Sequence, residues 1–319
     1  MEWLLVGLGL VILMFAGDAL VRGAVNLSLR MGIPALIVGL TVVGFGTSAP
    51  ELLVSIKAAT EGAPGIALGN VVGSNIANVL LILGIPALIA VMHTADHDTR
   101  KSFLVMIAAT VLFIGLAFTG SFGPLAGAIL LGALALILWD AGRDAVRHRR
   151  DAAEADSLCD VEEDVEGADP NMPWWKIGLF LVLGLIGLPL GADLLVDNAV
   201  IIAREFGVSE TVIGLTLVAI GTSLPELATT VMSTLRKQSD VALGNVIGSN
   251  YFNLCGIIGV TALVAPVPVE ATFLTRDLWV MLGASLMLIP FVFLGKNITR
   301  VWGLLLLGLY VAYATATLI

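Results

Sequence analysis

The sequence predicts an all-α polytopic membrane protein with ten transmembrane helices in two inverted five-helix repeats. Three observations carry that expectation. The 319 residues are 58% hydrophobic and 13% charged, with a mean hydropathy of +1.00, whereas soluble chains carry about 25% charged residues. Apolar stretches recur at the length that crosses a bilayer, about 20 residues. Two long motifs recur at one fixed offset. This composition excludes a secreted disulfide scaffold, a nucleic-acid binder and an ordinary soluble enzyme.

Taken in order, the apolar segments fall at 3–21, 34–58, 65–91, 102–119, 123–141, 176–196, 208–234, 241–265, 278–295 and 301–318. In hydrocarbon each must be a helix, because an unpaired backbone amide finds no water there. Only Met1 and Glu2 precede the first run, which reads as a transmembrane helix rather than a cleaved signal. The segments group into a first repeat at 1–141 and a second at 174–319. Between them, residues 142–173 form a polar stretch. Nine carboxylates lie between Asp151 and Asp169 with no Lys or Arg among them, which accounts for the net charge of −9. That stretch reads as a flexible, solvated tether. Cys159 lies in it and Cys255 in an apolar segment, so no structural disulfide is expected.

The basic residues give an orientation. With the N-terminus outside and ten crossings, the cytoplasmic side receives Arg22, Arg30, Arg100, Lys101, Arg143, Arg147, Arg149, Arg150, Lys176, Arg236, Lys237, Lys296 and Arg300. Only Lys57, Arg204 and Arg276 fall outside. Excess Lys and Arg marks cytoplasmic loops. The acidic tether is then cytoplasmic.

The repeat is the strongest signal. GLTVVGFGTSAPELLVSI at 39–56 matches GLTLVAIGTSLPELATTV at 214–231 at ten of 18 positions. ALGNVVGSNIANVLLILG at 67–84 matches ALGNVIGSNYFNLCGIIG at 242–259 at 11 of 18. Both pairs share an offset of 175 residues, as do Asp18/Asp193 and Gly32/Gly207. Shared hydrophobicity does not match Gly, Thr, Ser, Pro, Glu and Asn at a fixed register. Five helices is an odd number, so the two copies enter the membrane in opposite directions. That is the plan of secondary transporters, whose sites sit near the midplane where the repeats meet.

Glu51 and Glu226 occupy equivalent positions near the middle of their segments. A charged side chain there costs about 2.5–3.5 kcal/mol on insertion scales. On a continuous helix Thr47 and Ser48 share the face of Glu51, and Thr222 and Ser223 that of Glu226. Pro50 and Pro225 lack an N–H and free the carbonyls of Gly46 and Gly221. The next segments add Ser74 and Asn78, and Ser249 and Asn253, each pair four residues apart. Carboxylates, hydroxyls, amides and carbonyls, without His or thiolate, suit a hard cation such as Ca²⁺ rather than zinc or copper. Na⁺ is also hard and similar in size, so either ion fits.

Plainer readings stand beside these. Gly69/Gly73 and Gly244/Gly248 have the spacing of close helix packing, and the prolines that of kinks. Asp18 and Asp193 are expected at helix ends, at the interface. His93, His97 and His148 fall in or beside cytoplasmic segments and read as solvated. The acidic stretch lacks the pattern of a calcium-binding loop.

GTSAPEL at 46–52, GTSLPEL at 221–227, GNVVGSNIAN at 69–78 and GNVIGSNYFN at 244–253 resemble the α-repeats of the cation/Ca²⁺ antiporter family, specifically prokaryotic sodium/calcium exchangers. The resemblance implies alternating-access exchange of Na⁺ for Ca²⁺, both ions competing for one site. It makes Glu51 and Glu226 the shared ligands and has Thr47 and Thr222 complete the Ca²⁺ site. Ser48, Ser74, Ser223 and Ser249 would line flanking Na⁺ sites with the carbonyls of Gly44 and Ala219. Asn78 and Asn253 would face the centre. Some relatives carry Asp where this chain has Asn253, so a third carboxylate is not expected. The first and sixth helices, which begin their halves, lack the ligand motifs and run on past Asp18 and Asp193 toward Gly32 and Gly207, would slide against the rest. The implied protein is a monomer of the inner membrane, multi-pass, with lipid and the transported Ca²⁺ and Na⁺ as partners and no cofactor. A proton/calcium exchanger is the nearest alternative. An intramembrane hydrolase lacks a His or Lys at matching depth to activate a serine. A channel would be distinguished by far larger currents.

Overall fold

The computed structural model describes residues 1–94, 99–154, 169, 171–207 and 219–318. The expectations for His97, for most of the acidic stretch and for 208–218 lie outside the described residues. The helices are α1 (Glu2–Met31), α2 (Ala35–Thr47), α3 (Ala49–Thr60), α4 (Pro64–Ile89), α5 (Arg100–Ala117) and α6 (Pro124–Glu154). They continue as α7 (Trp174–Glu205), α8 (Ala219–Gly221), α9 (Leu224–Leu235), α10 (Ser239–Val264), α11 (Phe273–Phe293) and α12 (Arg300–Leu318). Among the described residues eight are long and apolar enough to cross a membrane, and α2 with α3, bent by 41°, makes a ninth if counted as one span. The short α8 and α9 occupy the remainder of the expected seventh segment.

Elements six apart in this numbering are equivalents at the 175-residue offset, and α3/α9 and α4/α10 begin and end at matching positions. Irregularities match as well. A π-helical turn at Asn78–Ile82 in α4 is answered by one at Phe252–Ile257 in α10.

Two expectations are corrected. Helix α1 does not stop near residue 21, nor α7 near 196. They run to Met31 and Glu205, which places Asp18 and Asp193 inside helices rather than at their ends. Charge ends neither helix: Asp18 is paired with Arg22 one turn on, 2.9 Å from Oδ2 to Nε, and Asp193 is exposed within α7. The true stops are Gly32 and Gly207, both in the left-handed region at φ 65° and 77°, the conformation that commonly closes a helix. The second correction concerns the tether. Its first part, to Glu154, continues α6 as helix.

Among the described residues, buried apolar side chains form two clusters rather than one. The larger joins α4, α5, α6, α10, α11 and α12 around Phe113, Phe122, Met106, Ile76 and Phe291. The smaller centres on α1 and α7 through Leu13, Leu20, Val21 and Leu188. These two helices touch through small residues. A Cβ on Gly9 would lie 2.8 Å from Leu195 N, and one on Gly184 2.5 Å from Leu20 Cβ. The two contacts are equivalents, as the offset pairs Gly9 with Gly184 and Leu20 with Leu195. In a membrane, where burial alone drives little association, such backbone approach is what holds helices together. The GxxxG spacing in α10 does the same, since a Cβ on Gly244 would lie 2.8 Å from Leu36 O of α2. The equal spacing in α4 does not: a Cβ on Gly69 would meet only Phe273 Cζ at 3.9 Å and one on Gly73 nothing within 4 Å, which corrects the expectation for that pair.

The loops are tied in a matching way. A two-residue antiparallel ribbon joins β1 (Ser121–Phe122) to β2 (Val267–Pro268). Met92, the equivalent of Val267, bridges to Ile298. Each join links a loop of one half to a loop of the other.

Candidate functional site

The site begins with two breaks. Ser48 separates α2 from α3 at φ −84°, ψ 4°, and Ser223 precedes α9 at φ −92°, ψ 5°. Pro50 and Pro225 stand in the first turn of the helix that follows, where a missing N–H costs nothing but continuity with the preceding helix is lost. Glu51 and Glu226 therefore lie in the first turns of α3 and α9, next to backbone N–H groups and the positive end of the helix dipole. The carbonyl ends of α2 and α8 point at the same breaks. Half-helix ends of both signs facing one volume can hold an anion and a cation together.

This geometry corrects the expected hydroxyl arrangement. Thr47 and Ser48 do not sit on one continuous helical face with Glu51. Across the halves, Ser48 Oγ donates to Glu226 Oε1 at 3.1 Å. Thr47 Oγ1 donates to Asn245 Oδ1 at 3.1 Å and lies 3.4 Å from Ser249 Oγ. Ser249 Oγ in turn donates to Gly44 O at 3.3 Å. Thr47, Ser48 and Ser249 thus surround Glu226, while Ser223 faces Glu51. The two carboxylates are near enough to repel one another.

Both glutamates are removed from solvent, with 0% and 1% exposure. No Lys, Arg or His pairs with either among the described residues. Both oxygens of Glu51, Oε2 of Glu226, Oγ of Ser223, Oδ1 of Asn78 and both amide atoms of Asn253 are buried without a hydrogen-bond partner. Buried polar atoms are normally satisfied, so a concentration of orphans, most of them oxygens, marks a place built for something else. Asn78 opens the π turn of α4 and Asn253 lies in that of α10; such turns occur frequently at functional sites. Asn78 Nδ2 donates to Asn250 Oδ1 across the halves at 2.9 Å. Ser74 is buried in α4, and no side-chain hydrogen bond joins it to the others among the described residues. Thr222 occupies the turn beside Ser223, and Ala219 opens α8. No group of three His, Cys, Asp or Glu exists among the described residues, so any cation must rely on two carboxylates and neutral oxygens.

The sequence reading passed over Asn70 and Asn245. Asn70 Nδ2 donates to Glu51 O at 3.3 Å and to Ser55 Oγ at 3.1 Å. Asn245 Nδ2 donates to Glu226 O at 3.3 Å and to Thr230 Oγ1 at 3.1 Å. Each amide clamps the backbone of its own half's glutamate. Their identity at the 175-residue offset was the available signal.

Residues 1–140 and 176–319 match the family described as sodium/calcium exchanger protein. The sodium/calcium exchanger MaX1 of Methanosarcina acetivorans is 34% identical over 98% of this chain and 97% of its own length. The inner membrane protein YrbG of Escherichia coli is 36% identical over 87% of this chain and 84% of its own. Among solved structures, the sodium-calcium exchanger NCX_Mj soaked with 2.5 mM Na⁺ and 0.1 mM Ca²⁺ superposes with a TM-score of 0.79 at 33% identity, covering 100% of both chains. The chain is therefore a multi-pass membrane protein of the sodium/calcium exchanger family, whose members are antiporters.

Proposed function

We propose that the protein exchanges Na⁺ for Ca²⁺ by alternating access, both ions competing for a midplane site centred on Glu51 and Glu226. The observation that carries this reading is the set of orphaned oxygens on and around two buried carboxylates contributed by equivalent positions. The architecture we propose is ten crossings in two inverted five-helix repeats, 1–141 and 174–319, with the N-terminus outside and 142–173 cytoplasmic. The protein works as a monomer in the inner membrane.

Glu51 and Glu226 bind Ca²⁺ with Thr47 and Thr222. Ser48, Ser74, Ser223 and Ser249, with the carbonyls of Gly44 and Ala219, provide flanking Na⁺ positions. Asn78 and Asn253 present their amide oxygens to the centre. Charge then drives the cycle. Two ionised carboxylates in a low-dielectric interior repel each other and lack solvation. One Ca²⁺ neutralises the pair; so do two Na⁺, with neutral oxygens able to hold a third. The bare site, carrying two negative charges, crosses the access barrier poorly, and either loaded site crosses readily. Ions that share one pair of carboxylates are exchanged rather than leaked. At 3:1 stoichiometry one net charge moves, worth about 2.3 kcal/mol per 100 mV.

Protons also neutralise glutamates, but they need no coordination shell, and the hydroxyls around Glu226 favour sodium. The test is ⁴⁵Ca²⁺ uptake into Na⁺-loaded vesicles with the pH gradient collapsed. Uptake that follows the sodium gradient supports the reading. Uptake that ignores sodium and vanishes with the pH gradient replaces it with proton/calcium exchange.

A further inference from the structure

Asp18 and its equivalent Asp193 have opposite surroundings. Both oxygens of Asp18 are engaged: Oδ2 by Arg22 of the same helix, and Oδ1 by Arg236, which follows α9 and reaches it with Nε and Nη2. Arg236 is mostly withdrawn from solvent, its side chain 11% exposed. Beside this pair α1 lies directly on α9. A Cβ on Gly17 would be 3.1 Å from Ala228 O and 3.2 Å from Met232 Cγ.

In the other half the acid is kept and both cations are reversed. The equivalent of Arg22 is Asp197, and that of Arg236 is Glu61. Asp193, Asp197 and Glu61 are all exposed. Ala228, covered by α1, has Leu53 as its equivalent, and Leu53 is 69% exposed. The contact of α1 with α9 thus has no mirror image between α7 and α3, even though α1 and α7 contact one another symmetrically. Three carboxylates cannot form the mirror ion pair.

We infer that Asp18 and Arg236 are positioning residues that latch α1 onto α9 and hold closed the face that carries Arg236, cytoplasmic in the proposed orientation. The inference rests on the alternating-access reading. An exchanger with inverted repeats must visit the mirror arrangement, in which α7 lies on α3. That state meets Asp193 opposite Glu61 and has no latch. The sequence thereby biases the protein toward one access state with an ion pair that touches no transported cation.

The test reads accessibility rather than transport. Met232→Cys, in a background of Cys159→Ser and Cys255→Ala, reports the α1–α9 contact through its reaction with a membrane-impermeant thiol reagent applied from the Arg236 side. Asp18→Asn and Arg236→Gln should each speed labelling about five- to thirtyfold, the ratio that one to two kcal/mol of lost bias produces. Asp18→Glu, which keeps the charge, should stay slow. Glu61→Arg changes an exposed residue and gives Asp193 the partner it lacks, so it should also speed labelling, by favouring the mirror state. Unchanged labelling in Arg236→Gln or in Glu61→Arg overturns the latch. Labelling is read without ion gradients, so failure of the flux assay for Na⁺/Ca²⁺ exchange is a separate result.

Discussion

Removing the amide of Asn245 should destabilise the protein about twice as much as removing that of Asn70. The two residues are equivalents and make the same pair of donations, to the backbone of a glutamate at 3.3 Å and to a hydroxyl at 3.1 Å. Asn245 also accepts from Thr47 Oγ1 at 3.1 Å. It is fully buried, while Asn70 is half-buried. A net hydrogen bond contributes about 1 kcal/mol. Three of them in a dry setting place Asn245→Ala at about 3 kcal/mol. Two partly wet ones place Asn70→Ala at about 1.5 kcal/mol. The groups left behind keep other partners: Thr230 Oγ1 donates to Glu226 O at 2.7 Å, and Thr47 Oγ1 still faces Ser249. The larger penalty for a wholly orphaned buried group therefore does not apply. Thermal unfolding in detergent measures the difference. At about 1.5 °C per kcal/mol for a chain of 319 residues, Asn245→Ala should lower the midpoint by about 4–5 °C and Asn70→Ala by about 2 °C. Equal losses, or a larger loss for Asn70→Ala, would refute the reasoning that the extra bond and the burial decide the cost.

Three further outcomes follow from the same geometry. Glu51→Gln and Glu226→Gln should each abolish Na⁺-dependent ⁴⁵Ca²⁺ uptake while the protein remains folded in the membrane, as judged by its size-exclusion profile; retained uptake in both would refute the site. Gly184→Val should force α1 and α7 apart, since even a Cβ there lies 2.5 Å from Leu20 Cβ, and the melting midpoint should fall by several degrees. Gly178→Ala, whose Cβ meets no atom within 4 Å, should not lower it and should raise it slightly, since Ala favours a helix interior over Gly by about 0.5–1 kcal/mol. Ser48→Ala removes the hydroxyl that donates to Glu226 and should weaken the sodium dependence of exchange by about tenfold, roughly the 1.4 kcal/mol of one charge-assisted hydrogen bond, read from uptake at graded Na⁺.

The repeated motifs made the paired glutamates, hydroxyls and amides legible in the sequence, because matched polar residues at one register have no explanation in hydropathy. The breaks at Ser48 and Ser223 were not legible as breaks. A proline in an apolar stretch is as consistent with a bent continuous helix as with two half-helices, and the difference decides whether Ser48 serves its own glutamate or the opposite one. The lengths of α1 and α7 were legible in part, as runs continuing past Asp18 and Asp193 toward Gly32 and Gly207, but the charged residues along them placed the end of the apolar segment about ten residues early. The helical extension of α6 to Glu154 was hidden by its charge, since a helix leaving the membrane needs no apolar face. Close packing at Gly244 agrees with its spacing, but the same spacing at Gly69 and Gly73 meets no close neighbour, so spacing alone did not decide it. The contact between Gly9 and Leu195 was not, as nothing in either segment names the other as its partner.

Diffraction from crystals soaked in Sr²⁺, a calcium substitute with anomalous scattering, tests the central claim most directly. The account predicts an anomalous peak between the carboxylates of Glu51 and Glu226, within about 2.7 Å of oxygens from both, slightly beyond calcium distances. A peak elsewhere, with those two side chains unchanged and bare, would contradict it.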